Sequence, residues 1–192
     1  MISVATEEMA VYCFNIVKSR ILKQPVPLCP ESIPDVDSPI FITFKKVPSG
    51  DLRGCIGNFS PAPLRAQLRD YAIAAAFEDP RFGPIKESEL PKLACCVSLL
   101  HSFEKCEKWD DWEIGKHGVK LTYKTFRSTY LPSIPIEQGW TKEQTIKSLL
   151  AKGGFKDKVT DSVLKEVSAT RYQVSKCCVN YTDIKWPSSP SK

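Results

Sequence analysis

Two rhythms of apolar and polar residues organise this chain. Thr6 precedes Glu7 and Glu8, then Met9, Tyr12, Cys13, Ile16 and Val17 recur at helical spacing. A capping hydroxyl, acids at the positive end of the dipole and one apolar stripe predict an amphipathic helix packed on a core. Residues 25–39 then hold five prolines and no period, which predicts an ordered or semi-extended loop. Ile40 to Val47 switches to the two-residue alternation of a strand. Pro48-Ser49-Gly50 supplies turn chemistry, and Leu52 to Asn58 completes a β-hairpin. If that second strand is regular, Arg53, Cys55 and Gly57 share one face and Leu52, Gly54, Ile56 and Asn58 the other.

Beyond the hairpin, Ser60 reads as a helix cap with prolines in the first turn, and Leu64, Leu68, Tyr71, Ala72 and Ala75 bury one side of a helix ending near Phe77. A proline-rich turn, Asp79-Pro80-Arg81-Phe82-Gly83-Pro84, leads to a short helix over Glu87–Leu90 and a strong strand from Leu93 to Phe103. Short strands are expected at Val119–Tyr123 and Arg127–Leu131. Thr141, with Glu143 and Gln144 behind it, opens a helix that closes at Gly153-Gly154. A helical turn over Ser162–Val167 and a strand over Ala169–Tyr181 follow, and Pro187–Lys192 is a polar tail expected to fray. Strands and helices interleave without a regular βαβ repeat, which predicts an α+β protein with antiparallel pairing.

Composition narrows the class. With 42% apolar and 26% charged residues the chain has the balance of a soluble globular protein. Met1 to Glu8 carries two acids and no base, the wrong pattern for a secretory or mitochondrial leader, and the most apolar run, Ala72–Phe77, is too short to span a bilayer. A soluble, intracellular protein without a membrane segment is the expectation. The net charge of +5 is spread widely, and the absence of a basic cluster argues against nucleic acid as a partner.

Eight cysteines in an intracellular chain of this length are expected to be reduced thiols. The close pairs, Cys95-Cys96 and Cys177-Cys178, are vicinal, so each pair splits across the two faces of a strand and neither chelates one ion. No metal and no cofactor is expected.

The residue with the strongest claim to chemistry is Cys55. Glycine neighbours leave its thiol approachable, and Arg53 on the same strand face favours a thiolate. A free cysteine equally serves as a small buried hydrophobe, and the glycines equally let two backbones pack closely. A nucleophile needs a base, and of the two histidines His101 ends an apolar strand while His117 sits in the turn Gly115-Lys116-His117-Gly118. His117 is therefore the candidate partner of Cys55. Asp79 and Arg81 either hold a polar ligand or pin their own turn, and Trp109, Trp112 and Trp140 read as core.

Leu-Arg-Gly-Cys-Ile-Gly at 52–57, taken with Asp79-Pro80-Arg81-Phe82, Gly115-Lys116-His117-Gly118, Tyr130-Leu131-Pro132, Gly139-Trp140 and Lys152-Gly153-Gly154-Phe155, resembles the AMMECR family. The name abbreviates a human chromosomal region whose deletion combines Alport nephropathy, midface hypoplasia and elliptocytosis. The likeness runs from about Ile2 to Tyr181, and the animal form looks nearest. It implies two unequal lobes, each with an antiparallel sheet flanked by helices. The domain would cover 1–183 in two subdomains, followed by a flexible tail over 184–192. The cysteine motif would line a cleft between the lobes, with Arg53, Cys55 and Ile56 in it and Asp79, Arg81 and His117 as neighbours.

The same resemblance implies a nuclear or nucleocytoplasmic protein, and microbial fusions to Memo-like and radical-SAM domains point to a Memo-like partner. Where many microbial relatives carry an acid this chain has Cys96, so an acid-assisted chemistry does not carry over. Two functions are expected. One is a regulatory protein whose cleft binds a protein segment or other large ligand. The alternative is a cysteine-dependent enzyme or redox module using Cys55.

Overall fold

The computed structural model describes residues 4–186. Within them the chain forms two units, one of residues 4–99 and 175–186, the other Leu100–Val174. Strands β1 (Ile40–Lys46), β2 (Leu52–Asn58), β3 (Leu93–Lys105), β4 (Gly118–Tyr123), β5 (Phe126–Tyr130) and β6 (Ser168–Asn180) run in the order β2-β1-β3-β6-β4-β5. The β1/β2, β1/β3, β4/β5 and β4/β6 pairs are antiparallel. The α+β class with antiparallel pairing, as read from the sequence, is the architecture the chain adopts, its strands joined in one six-stranded sheet.

In the first unit α1 (Glu7–Ile21) begins where the capping pattern placed it, with the Thr6 hydroxyl accepting the Met9 N–H. Its stripe of Met9, Cys13, Ile16 and Val17 packs with Ile40, Ile42 and Phe44 of β1, Leu64, Leu68 and Ala72 of α2 (Leu64–Ile73), and Cys95, Val97 and Leu99 of β3. Each large aliphatic buried there contributes roughly 2 kcal/mol by leaving water. The even positions of β1 thus face the core. Phe41, Thr43 and Lys45 face the other way, Thr43 alongside Cys55 of β2, and a bulge in β2 leaves Arg53 without a partner on β1, so the alternation is interrupted there.

Two boundaries differ from the pattern reading. Helix α2 starts at Leu64 rather than near Ser60, because the Ala62 carbonyl is taken by the Ser38 N–H and Gln67 Nε2, and the Leu64 N–H reaches Val36. Residues 60–63 are tied to the proline-rich loop instead of closing a helical turn. Helix α3 (Ser133–Gln138) was not read from the sequence. Its stop signal was present in Gly139, which caps it at φ 64°, but six residues interrupted by Pro135 carry too little periodicity. At the carboxyl end Ile184 and Trp186 pack against the first core, and Lys18 Nζ lies 4.6 Å from the Trp186 ring centroid. Residues 187–192, where the frayed tail was expected, lie outside the described residues.

The second unit packs Val119, Leu121 and Tyr123 of β4 against Ile146, Leu149 and Leu150 of α4 (Lys142–Lys152). Leu164 of α5 (Asp161–Glu166) joins the same core, as does Trp112. Thr141 and Gln144 form the reciprocal cap of α4 that their spacing predicted. Tyr172 is fully buried, its hydroxyl donating to the Tyr130 carbonyl at 3.0 Å, and burial pushes its pKa up to about 12. A Cβ at Gly118 would overlap the Tyr172 ring. Gly118→Ala is therefore expected to cost about 2 kcal/mol, since a hydrogen-bonded buried ring has nowhere to move. Urea unfolding measures the loss, and an unchanged midpoint would refute it.

Candidate functional site

β2 ends the strand order, so β1 covers only one of its edges. At Cys55 the other edge is met by side chains. Asp79 Oδ2 accepts the Cys55 N–H at 2.9 Å, and Arg81 Nη2 donates to the Cys55 carbonyl at 3.1 Å. Together they satisfy the two backbone groups that a neighbouring strand would take. The arrangement follows from the local sequence. Pro80 holds Asp79 in an extended conformation and sits at the second position of a β-turn closed by Phe82 N–H to the Asp79 carbonyl at 3.0 Å.

Asp79 is buried, with a side chain 2% exposed, and its carboxylate accepts four hydrogen bonds: from the Cys55 N–H, the Arg81 N–H, Arg81 Nε and Arg81 Nη2. The Arg81 guanidinium, helped by the two backbone donors, outweighs burial and holds this carboxyl well below the usual carboxylate range. Of the two sequence readings of Asp79 and Arg81, the structure realises the pinned turn.

Arg53 is also committed. Its Nε and Nη2 grip the Glu89 carboxylate at 2.8 and 3.2 Å, and that pairing lowers the Glu89 pKa. Glu89 lies in the 3₁₀ turn Glu87–Lys92 and also accepts the Lys86 N–H. Arg53 Nη1 is buried without a partner among the described residues. The Phe82 ring lies 5.9 Å from the Arg53 guanidinium and 5.5 Å from that of Arg81, so one aromatic joins both ion pairs.

Cys55 itself is partly buried, and Thr43 Oγ1 donates to its sulfur at 3.2 Å. Thr43 is opposite Cys55 on β2 and opposite Cys96 on β3, so the three share one side of the sheet. Cys96 is bonded to Cys178 of β6, and this disulfide corrects the expectation that all eight cysteines are thiols. The residues are 82 apart in sequence, yet neighbouring strands bring their Cα atoms to 4.0 Å. Each vicinal pair does split across its strand, so one member of each meets across the sheet, while Cys95 turns into the first core beside Cys13, where burial raises its pKa. No local pattern reveals such a meeting. A non-reducing peptide map is expected to show the Cys96 and Cys178 peptides joined and the other six cysteines alkylatable after denaturation. Recovery of Cys96 as a free thiol would count against the bond.

Of the remaining predicted residues, Ile56 packs on the first core from the opposite face of β2. His117 belongs to the second unit and is buried; its Nδ1 accepts the Glu113 N–H at 3.0 Å. Burial, then the Lys116 and Arg171 charges, lower its pKa, which keeps the acceptor nitrogen unprotonated. His101 bonds the neighbouring Ser102 hydroxyl. Phe82, Thr43 and Glu89 were not singled out from the sequence. The Phe82 signal was its place in the Asp-Pro-Arg-Phe turn, whereas the roles of Thr43 and Glu89 depend on register and tertiary packing. Among the described residues no three His, Cys, Asp or Glu side chains are grouped to hold a metal ion, and no helix is long and apolar enough to cross a membrane.

The AMMECR1 family model matches residues 10–177. An uncharacterised protein of Arabidopsis thaliana is 39% identical over 188 residues, covering 93% of this chain and 87% of its own length. One of Schizosaccharomyces pombe is 36% identical over 179 residues, with 87% and 89% covered. The crystal structure of an uncharacterised protein from Pyrococcus horikoshii superposes with a TM-score of 0.75 at 24% identity, over 93% of this chain and 94% of that one, a likeness of fold.

Proposed function

Since the chain belongs to the AMMECR1 family, we propose that it is an intracellular regulatory protein that binds a protein segment or other large ligand at the Leu-Arg-Gly-Cys-Ile-Gly strand. Arg53, Cys55, Asp79 and Arg81 frame that surface, Ile56 anchors the strand from behind, and Phe82 is its aromatic contact. One observation carries the reading: the ionic groups around Cys55 are already spent on one another. A carboxylate that accepts four hydrogen bonds and is held far below its usual pKa is a poor proton acceptor at neutral pH. Groups locked in this way make a preformed surface, which lowers the entropic cost of association. The animal-type affiliation, the nuclear or nucleocytoplasmic location and the Memo-like partner belong to the same proposal and rest on the motif resemblance.

A second reading keeps Cys55 as a nucleophile or redox-active thiol. The Thr43 hydroxyl directed at a partly exposed sulfur favours it. Proximity labelling in cells with wild type, Cys55→Ser and Phe82→Ala separates the two. If the strand is a binding surface, Cys55→Ser keeps the neighbours of the wild type and Phe82→Ala loses a subset of them. Loss with Cys55→Ser and not with Phe82→Ala, in folded protein, would transfer the assignment to cysteine chemistry.

A further inference from the structure

Helices α1 and α2 with the segment 23–29 enclose two adjoining hollows in the first unit, of about 380 and 310 Å³, that share Val26 as a lining residue. Their apolar surface includes Tyr12 and Pro63 in the larger hollow and Ile16 and Ile73 in the smaller. Leu28, 94% exposed, and Val26, 57% exposed, stand at the rim on the proline-rich segment, where the backbone is already restrained. Neighbouring exposed aliphatics over a hollow are what a binding groove leaves uncovered.

The charges around this groove are unbalanced. Arg65 and Arg69 line the larger hollow, Arg20 and Lys23 the smaller, and Asp35 is the single acid that lines either. Arg69 is paired with Asp70 at 2.8 Å. Among the described residues Arg20, Lys23 and Arg65 have no carboxylate within ion-pair distance. Arg65 is instead fixed by the Ile33 and Glu31 carbonyls at 2.7 and 2.9 Å, so its charge is positioned without being neutralised. Arg20 lies over the Phe77 ring at 5.7 Å.

We infer that this groove docks an acidic segment of a partner protein, whose aliphatic side chains rest on Val26 and Leu28 and whose carboxylates meet Arg20, Lys23 and Arg65. The partner is a peptide rather than a nucleic acid, because the exposed rim is aliphatic and offers no aromatic face for stacking bases. The groove is built from α1 and α2, on the side of β2 opposite Cys55, so it is separate from the surface assigned above.

Fluorescence anisotropy of the full chain with three labelled probes tests it: a short peptide of alternating Glu and Leu, the same peptide with Ser for every Leu, and a single-stranded oligonucleotide of equal charge. The Glu/Leu peptide is expected to bind tightest, and more weakly as salt rises. Arg20→Glu with Lys23→Glu should weaken it about tenfold, and Leu28→Ser about fivefold. All three positions are exposed, and circular dichroism confirms that each variant is folded. No binding of the Glu/Leu peptide, binding that neither variant changes, or tighter binding of the oligonucleotide or the Ser peptide would each overturn the inference. The strand surface is untouched by these variants, so its fate is decided separately.

Discussion

Replacing Gly54 by alanine is expected to be severely damaging, costing about 3 kcal/mol and lowering the melting temperature by roughly 10 °C. Gly54 points from β2 toward the π-helical turn Ala74–Glu78 that continues α2. A Cβ there would overlap the carbonyl oxygen of Ala75, which is backbone and cannot rotate away. The turn has no room to retreat, because Ala75 is buried in the first core and the Ala76 carbonyl is bonded to the Ile85 N–H at 2.9 Å. Gly83→Ala is the control, since a Cβ at Gly83 meets nothing within 4 Å. Urea unfolding of the two variants should differ by nearly the whole effect, and equal midpoints would refute the packing argument.

Asp79→Ala should cost about 2 kcal/mol at neutral pH, because it strands the Cys55 N–H and frees the turn that carries Phe82. The figure is held below that for a fully buried ion pair since the Arg81 side chain is 53% exposed. The contribution depends on pH in a defined direction. Folding depresses the Asp79 pKa, chiefly through the Arg81 guanidinium, so the unfolded chain takes up the proton first as pH falls. The stabilisation is complete above the ordinary carboxylate pKa of about 4 and is lost progressively below it, toward the lower folded value. Glu89, whose pKa Arg53 lowers, drifts in the same sense. The stability gap between wild type and Asp79→Asn should therefore narrow between pH 7 and pH 3, and a gap that stays constant would contradict the assignment.

Much of the first unit could be read locally. The Thr6 cap, the stripe of α1 and the turn after β1 rest on interactions within a few residues, and all appear in the structure. The same holds for α4 with its Thr141 cap. Local signals mislead where a distant segment competes for the local groups. Ser60 had the chemistry of a cap, but the proline-rich loop claims the Ala62 carbonyl. Cys96 and Cys178 looked like ordinary thiols because neither local sequence names the neighbouring strand. Arg53 looked like a free cation beside Cys55, whereas Glu89, 36 residues on, holds it.

The question of why glycine flanks Cys55 divides along the same line. By itself the sequence determined a strand with Cys55 on one face and Gly54 on the other, since the alternation of a β-strand depends only on backbone geometry, and only the fold placed a bulge at Arg53. It also determined that Pro80 would make a turn of Asp79 to Phe82. Only the tertiary structure decided that this turn caps the edge of β2 at Cys55, that Ala75 fills the space Gly54 leaves, and that Thr43 stands between Cys55 and Cys96. The reason is physical. Dihedral preferences and side-chain period act over a few residues, whereas strand register, a shared ion pair and a close backbone approach arise only when segments far apart in the chain pack together.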